Sequence, residues 1–118
     1  MKVAKENQNL QNRNIISQTV QFVKQTLQGA ESGHDWWHIQ RVWNNAILIS
    51  KTEQADTFII ELAALLHDIA DSKFHNGDET IGPNLAREFL FKHNVDSLVI
   101  EHVVNIIKHI SFKNTLEE

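Results

Sequence analysis

The chain contains no cysteine, which rules out disulfides, thiolate metal sites and cysteine nucleophiles. It has one proline and four glycines in 118 residues. That scarcity of chain breakers argues against a turn-dense β architecture and favours long helices. No apolar run approaches the ~20 residues needed to span a bilayer, so no membrane partner is expected. Residues 1–13 are polar and rich in Asn and Gln, with no apolar stretch of the kind a secretory signal carries. They read as a disordered or frayed N-terminus, and a cytoplasmic location fits. The formal net charge of −4 weighs against nucleic acid as the main partner. A local basic site for a phosphate remains compatible with that balance.

The length allows one domain at most. Apolar residues make up 42% and charged residues 22%, enough for a modest globular core. From Ile15, apolar residues recur at 15, 16, 20, 23 and 27, a helical spacing with Gly29 as the stop signal. Ser32 or Asp35 is placed to cap a second helix carrying Trp36, Ile39, Val42, Trp43, Ala46, Ile47 and Ile49, ending near Lys51. Asp56 is placed to cap a third, 57–69, whose apolar density marks the centre of the bundle. A fourth fits 79–93, capped by Asp78 and ending near Asn94, with Pro83 tolerated in its first turn. Asp96 then caps a fifth, 97–110, carrying Leu98, Val99, Val103, Ile106, Ile107 and Ile110. The expectation is an all-α bundle of about five helices.

Two clusters carry chemistry. One is His34-Asp35-Trp36-Trp37-His38 with Arg41-Val42 after it; the other is His67-Asp68 at the end of the apolar run Leu62–Leu66. Imidazole and carboxylate donors in such clusters suit one hard or borderline metal ion. His38 and Arg41 are three apart and share a helix face, so a metal held by His38 has a guanidinium nearby. That pairing suits phosphate, which arginine grips through two oxygens. Asp71 and Lys73 follow the second cluster, the first suited to orient or deprotonate water and the second to neutralise phosphate. His109 is a further candidate on the fifth helix. A lone histidine is more often a surface or hydrogen-bonded residue than a ligand. His75 and His93 read as solvent-facing, and Trp36, Trp37 and Trp43 as packing residues rather than stacking platforms for a base.

The segment Gly33–Val42 resembles the opening motif of HD-superfamily metal-dependent phosphohydrolases, and Leu62–Lys73 resembles the signature that names them. His109-Ile110-Ser111-Phe112 is similar to a segment of one bacterial subgroup. The two motifs occur in order and at matching spacing, and the resemblance covers roughly residues 15–116. It implies His38, rather than His34, as the first metal ligand, with His67 and Asp68 as the paired ligands. It implies a helical bundle that binds a divalent ion (Mn, Mg, Fe, Co, Ni or Zn) and hydrolyses a nucleotide or other small phosphate ester by a metal-activated water. Family members take a fourth ligand, an aspartate, from a later helix, whereas no aspartate follows Asp96 here. The resemblance therefore reads residues 14–118 as the N-terminal part of an HD-like domain, truncated before its last ligand. An apolar face left open that way favours a homodimer. The alternative reading is a non-catalytic HD-like module for binding or assembly, lacking a complete metal site.

Overall fold

The structure is a computed structural model that describes residues 2–28, 36–53, 56–69 and 80–117, with side chains described over 7–28, 36–52, 56–69 and 80–109. Five helices follow in order: α1 (Lys2–Thr26), α2 (Trp36–Glu53), α3 (Thr57–Leu66), α4 (Ile81–Lys92) and α5 (Ser97–Glu117). Among the described residues there is no strand, and the all-α expectation holds.

Helix ends follow local chemistry. The Asp56 carboxylate accepts from the backbone N–H of Phe58 at 3.0 Å and of Ile59 at 3.4 Å, which starts α3 where the sequence predicts. Asp96 likewise accepts from the Leu98 N–H at 2.8 Å at the start of α5. The end of α4 is set by Asn94, the residue with positive φ (60°) among those described. Its N–H donates to the Phe91 carbonyl and the Val95 N–H to the Leu90 carbonyl, both at 3.1 Å. That pattern closes a helix through a left-handed residue, a conformation asparagine tolerates. Val95 is buried beyond the turn. The expected caps Ser32, Asp35 and Asp78 lie outside the described residues.

Three boundaries differ from expectation. The segment 1–13, expected to fray, is helical from Lys2, because no Gly or Pro occurs before Gly29 and Arg13 is tied to the interior. Helix α5 runs to Glu117 rather than 110, again with no breaker in the way. Helix α3 ends at Leu66 rather than 69, with consequences for the candidate site.

Helix α3 is the centre of the bundle and touches α1, α2 and α5. Leu62, Leu65 and Leu66 are fully buried against Ile16 and Val23 of α1, Ile39 of α2, Leu90 of α4 and Val103, Val104 and Ile107 of α5. Trp36 and Trp43, seven apart on α2, pack on this core, but Trp37 is exposed. One residue turns a helix by about 100°, which carries Trp37 off the buried face. Leu98 and Ile49, expected to face inward, are also exposed.

Helices α2 and α3 pack antiparallel as a hairpin, with the last turn of α2 beside the first turn of α3. Near these turns the Ser50 and Thr57 hydroxyls lie 3.2 Å apart. Midway, the Trp43 indole N–H donates to Glu61 Oε1 at 3.0 Å. At the open end, the rings of His38 and His67 lie with centroids 6.0 Å apart and planes tilted by 58°. Glu61 is only 1% exposed, and Arg13 of α1 donates to both of its oxygens. A buried carboxylate thus joins three helices.

On the other side of the bundle, Arg87 of α4 grips Glu101 of α5 through two hydrogen bonds of 3.0 Å. The Arg87 hydrogen bond is the main reason the Glu101 carboxyl is held below its ordinary range; partial desolvation opposes the shift, and the charges of Arg87 and Lys108 add to it. A depressed folded-state value stabilises the fold above the ordinary carboxylate range, and that contribution disappears as pH falls through the lowered value. Glu101→Gln should therefore melt below the parent chain at pH 7, with the gap closing in acid once Glu101 protonates. A thermal melt series from pH 7 to pH 2 checks this; equal melting temperatures at pH 7 contradict it.

Candidate metal centre

His38 sits in the first turn of α2, and His67 follows the last residue of α3. Because the helices run antiparallel, the start of one meets the end of the other. Asp68 comes next, in the turn that leaves α3. On a continuing helix His67 and Asp68 would diverge by about 100°. Here both lie at the edge of the helix end, His67 still in the αR region, and long side chains from such an edge converge on a point beyond both.

The His67 ring has a part in that ending. Its Nδ1 lies 2.6 Å from the carbonyl oxygen of Ala64. Ala64 is in the last turn of α3, where carbonyls lack an intrahelical amide partner. A carbonyl only accepts, so Nδ1 carries the proton and donates. Nε2 is then the ring nitrogen that can serve a metal. This backbone-oriented tautomer is the usual state of a metal-binding imidazole.

His38, His67 and Asp68 each offer one donor atom, and these atoms all lie within 4.8 Å of one another. Donors about 2.0–2.2 Å from a shared ion are at most about 4.4 Å apart. Small side-chain rotations therefore bring the set onto one cation. All three residues are half-buried, so the centre is partly open to solvent. The donor set of nitrogen and oxygen fits a divalent first-row metal or magnesium and offers nothing to soft, thiolate-seeking ions. It leaves coordination positions for water or substrate.

The other candidates fall elsewhere. Arg41 lies on α2 three residues after His38, with its side chain exposed. His109 is exposed on α5 and is not a member of the cluster. His34, Asp71, Lys73 and His75 lie outside the described residues. His93, read as solvent-facing, is half-buried, with its ring centroid 4.4 Å from that of Phe89. The sequence reading missed Glu61 and its partners Arg13 and Trp43. A signal existed: Glu61 interrupts the apolar run Phe58-Ile59-Ile60-Glu61-Leu62, and a carboxylate in a buried helix needs a partner.

The HD domain family model matches residues 36–116. An uncharacterised protein of Bacillus subtilis (strain 168), YpgQ, is 35% identical over 97 residues, a match covering 79% of this chain and 45% of that protein. The chain thus spans less than half the length of this curated relative. No solved structure matches. The fold and the site define the class, and the chain belongs to the HD domain family. Members of that family are typically divalent-metal-dependent phosphohydrolases. Among the described residues no helix is long and apolar enough to cross a membrane.

The geometry makes a direct prediction. Calorimetric titration with Mn²⁺ should show one site per chain, and His67→Ala or Asp68→Ala should weaken it by about 100-fold or more. Loss of a ligand should exceed the roughly 10–100-fold cost of losing a ligand's hydrogen-bond partner. Far-ultraviolet circular dichroism should stay unchanged. Undiminished Mn²⁺ affinity in either variant contradicts the site.

Proposed function

We propose that this chain is a metal-dependent phosphohydrolase acting on a nucleotide or other small phosphate ester. The observation that carries the proposal is the convergence of His38, His67 and Asp68 at the open end of the α2–α3 hairpin. When bound there, a divalent ion supplies a Lewis acid for phosphoryl oxygens and lowers the pKa of water. His38, His67 and Asp68 hold it. Arg41, one turn beyond His38 on α2, binds two phosphate oxygens through its planar fork. Lys73 and His109 add further phosphate contacts. Asp71 orients the attacking water and takes its proton. In-line attack then expels an alkoxide or pyrophosphate.

Membership of the HD domain family supports the reaction class. The half-exposed donors support a substrate that arrives from solvent and keeps much of its surface outside the cluster. One observation favours a second reading, a non-catalytic binding or assembly module: the cluster has three members among the described residues.

A phosphatase screen separates the two. The protein is incubated with Mn²⁺ and a panel of nucleoside triphosphates, nucleoside monophosphates and p-nitrophenyl phosphate. The proposal expects hydrolysis of at least one substrate, abolished by a chelator and by His67→Ala. Arg41→Ala should raise KM about tenfold or more, as expected for losing a charge-assisted hydrogen bond of roughly 1.5–3 kcal/mol. No turnover on any substrate, together with no Mn²⁺ binding up to millimolar concentration, supports the module.

A further inference from the structure

Glu61 is a polar group the proposed chemistry does not use. Its side chain is 1% exposed in the most apolar helix of the bundle. Replacing a buried ion pair with apolar residues of similar volume is often neutral or stabilising, so stability alone is weak grounds for its presence. What it does geometrically is specific. Trp43 has one donor, the indole N–H, and spends it on Glu61 Oε1 at 3.0 Å. The Trp43 ring in turn meets the Trp36 ring edge-on, with centroids 6.3 Å apart and planes at 62°. Trp36 precedes His38 by two residues in the same turn of α2. A continuous set of contacts therefore runs from Glu61, through both indoles, to the turn that bears His38.

The same carboxylate stands on the helix that bears the other ligands. Glu61 is six residues before His67, about 9 Å along the axis, and Trp43 is five after His38, about 7.5 Å. Over such lengths a helix behaves as a rigid rod. A slide of α2 along α3 therefore moves His38 by the same amount relative to His67 and Asp68. Metal sites tolerate deviations of only about 0.2 Å in their ligand distances. A slide of ~1 Å stretches the 3.0 Å Trp43–Glu61 bond beyond hydrogen-bonding distance and moves His38 from the other two donors by an amount its side chain must then make up.

We propose that Glu61 is a positioning residue for the metal centre, setting through Trp43 where α2 presents His38 opposite His67 and Asp68. The inference rests on the metal reading of that cluster. Arg13 compensates the charge of Glu61 from α1, and it bears on stability rather than on the α2–α3 register.

The test measures Mn²⁺ affinity by calorimetry and thermal melting side by side in four variants. Trp43→Phe keeps an aromatic ring and removes the N–H. Glu61→Leu removes the acceptor, whereas Glu61→Gln keeps an acceptor oxygen for the indole. Arg13→Gln removes the compensating charge and leaves the Trp43–Glu61 bond in place. Trp43→Phe and Glu61→Leu should each raise the Kd for Mn²⁺ about tenfold, the low end of the outer-partner range. Glu61→Gln and Arg13→Gln should stay within about twofold of the parent Kd, even where their melting temperatures fall. A Kd that merely follows melting temperature across the four variants overturns the inference, and so does an unchanged Kd in both Trp43→Phe and Glu61→Leu. Failure of the parent chain to bind Mn²⁺ at millimolar concentration is a different result: it overturns the metal reading and takes this inference with it.

Discussion

Glu61 brings a carboxylate into the interior of a small helical bundle, where only direct hydrogen bonds can replace the water it gives up. Arg13 and Trp43 supply them, one from α1 and one from α2. Losing Arg13 leaves that charge without compensation and costs stability, while the Trp43 bond to Glu61 holds α2 in register on α3. The arrangement gives the bundle something that leucines packed on leucines do not. Apolar contacts are non-directional and tolerate small slides, whereas a hydrogen bond at 3.0 Å has one register. The hairpin of α2 and α3 is pinned at that point and again where Ser50 meets Thr57.

The open end of the hairpin is where the chemistry collects. Antiparallel helices bring the first turn of α2 against the last turn of α3, and the side chains there are His38 and His67. His67 serves the backbone and the site at once. By donating to the Ala64 carbonyl it serves an acceptor of the last turn and leaves its other nitrogen for the site. Helix α3 ends at Leu66, with His67 still in the αR region and Asp68 in the turn that follows. Asp68 therefore lies just past the helix end, where its carboxylate and the two imidazoles offer donor atoms within 4.8 Å of one another.

Much of this was legible from residue order. Asp56 and Asp96 were readable as caps, because a short carboxylate before an apolar periodic run has an evident use. Asn94 was readable as the end of α4. The His38, His67 and Asp68 set was legible as motif, and its three donors do approach one another. The rest depended on tertiary contacts that spacing does not encode. The long α1 is a case: its first half has little apolar character, yet the helix runs through it to Arg13, near the middle, which pairs with Glu61 48 residues away. Leu98 and Ile49 fit an apolar stripe by count but face solvent, since the width of a buried face is set by the neighbours that cover it. Trp37 shares its letters with Trp36 but not its side of the helix.

The family, the fold and the donor cluster converge on one claim: a single divalent cation is shared by His38, His67 and Asp68. The most direct test is a crystal structure of the protein grown with Mn²⁺, with diffraction collected near the manganese absorption edge. The account predicts one dominant anomalous peak per chain, about 2.0–2.3 Å from a nitrogen of His38, from Nε2 of His67 and from a carboxylate oxygen of Asp68. An anomalous peak bound elsewhere, or a fully ordered cluster with no peak at saturating Mn²⁺, would contradict it.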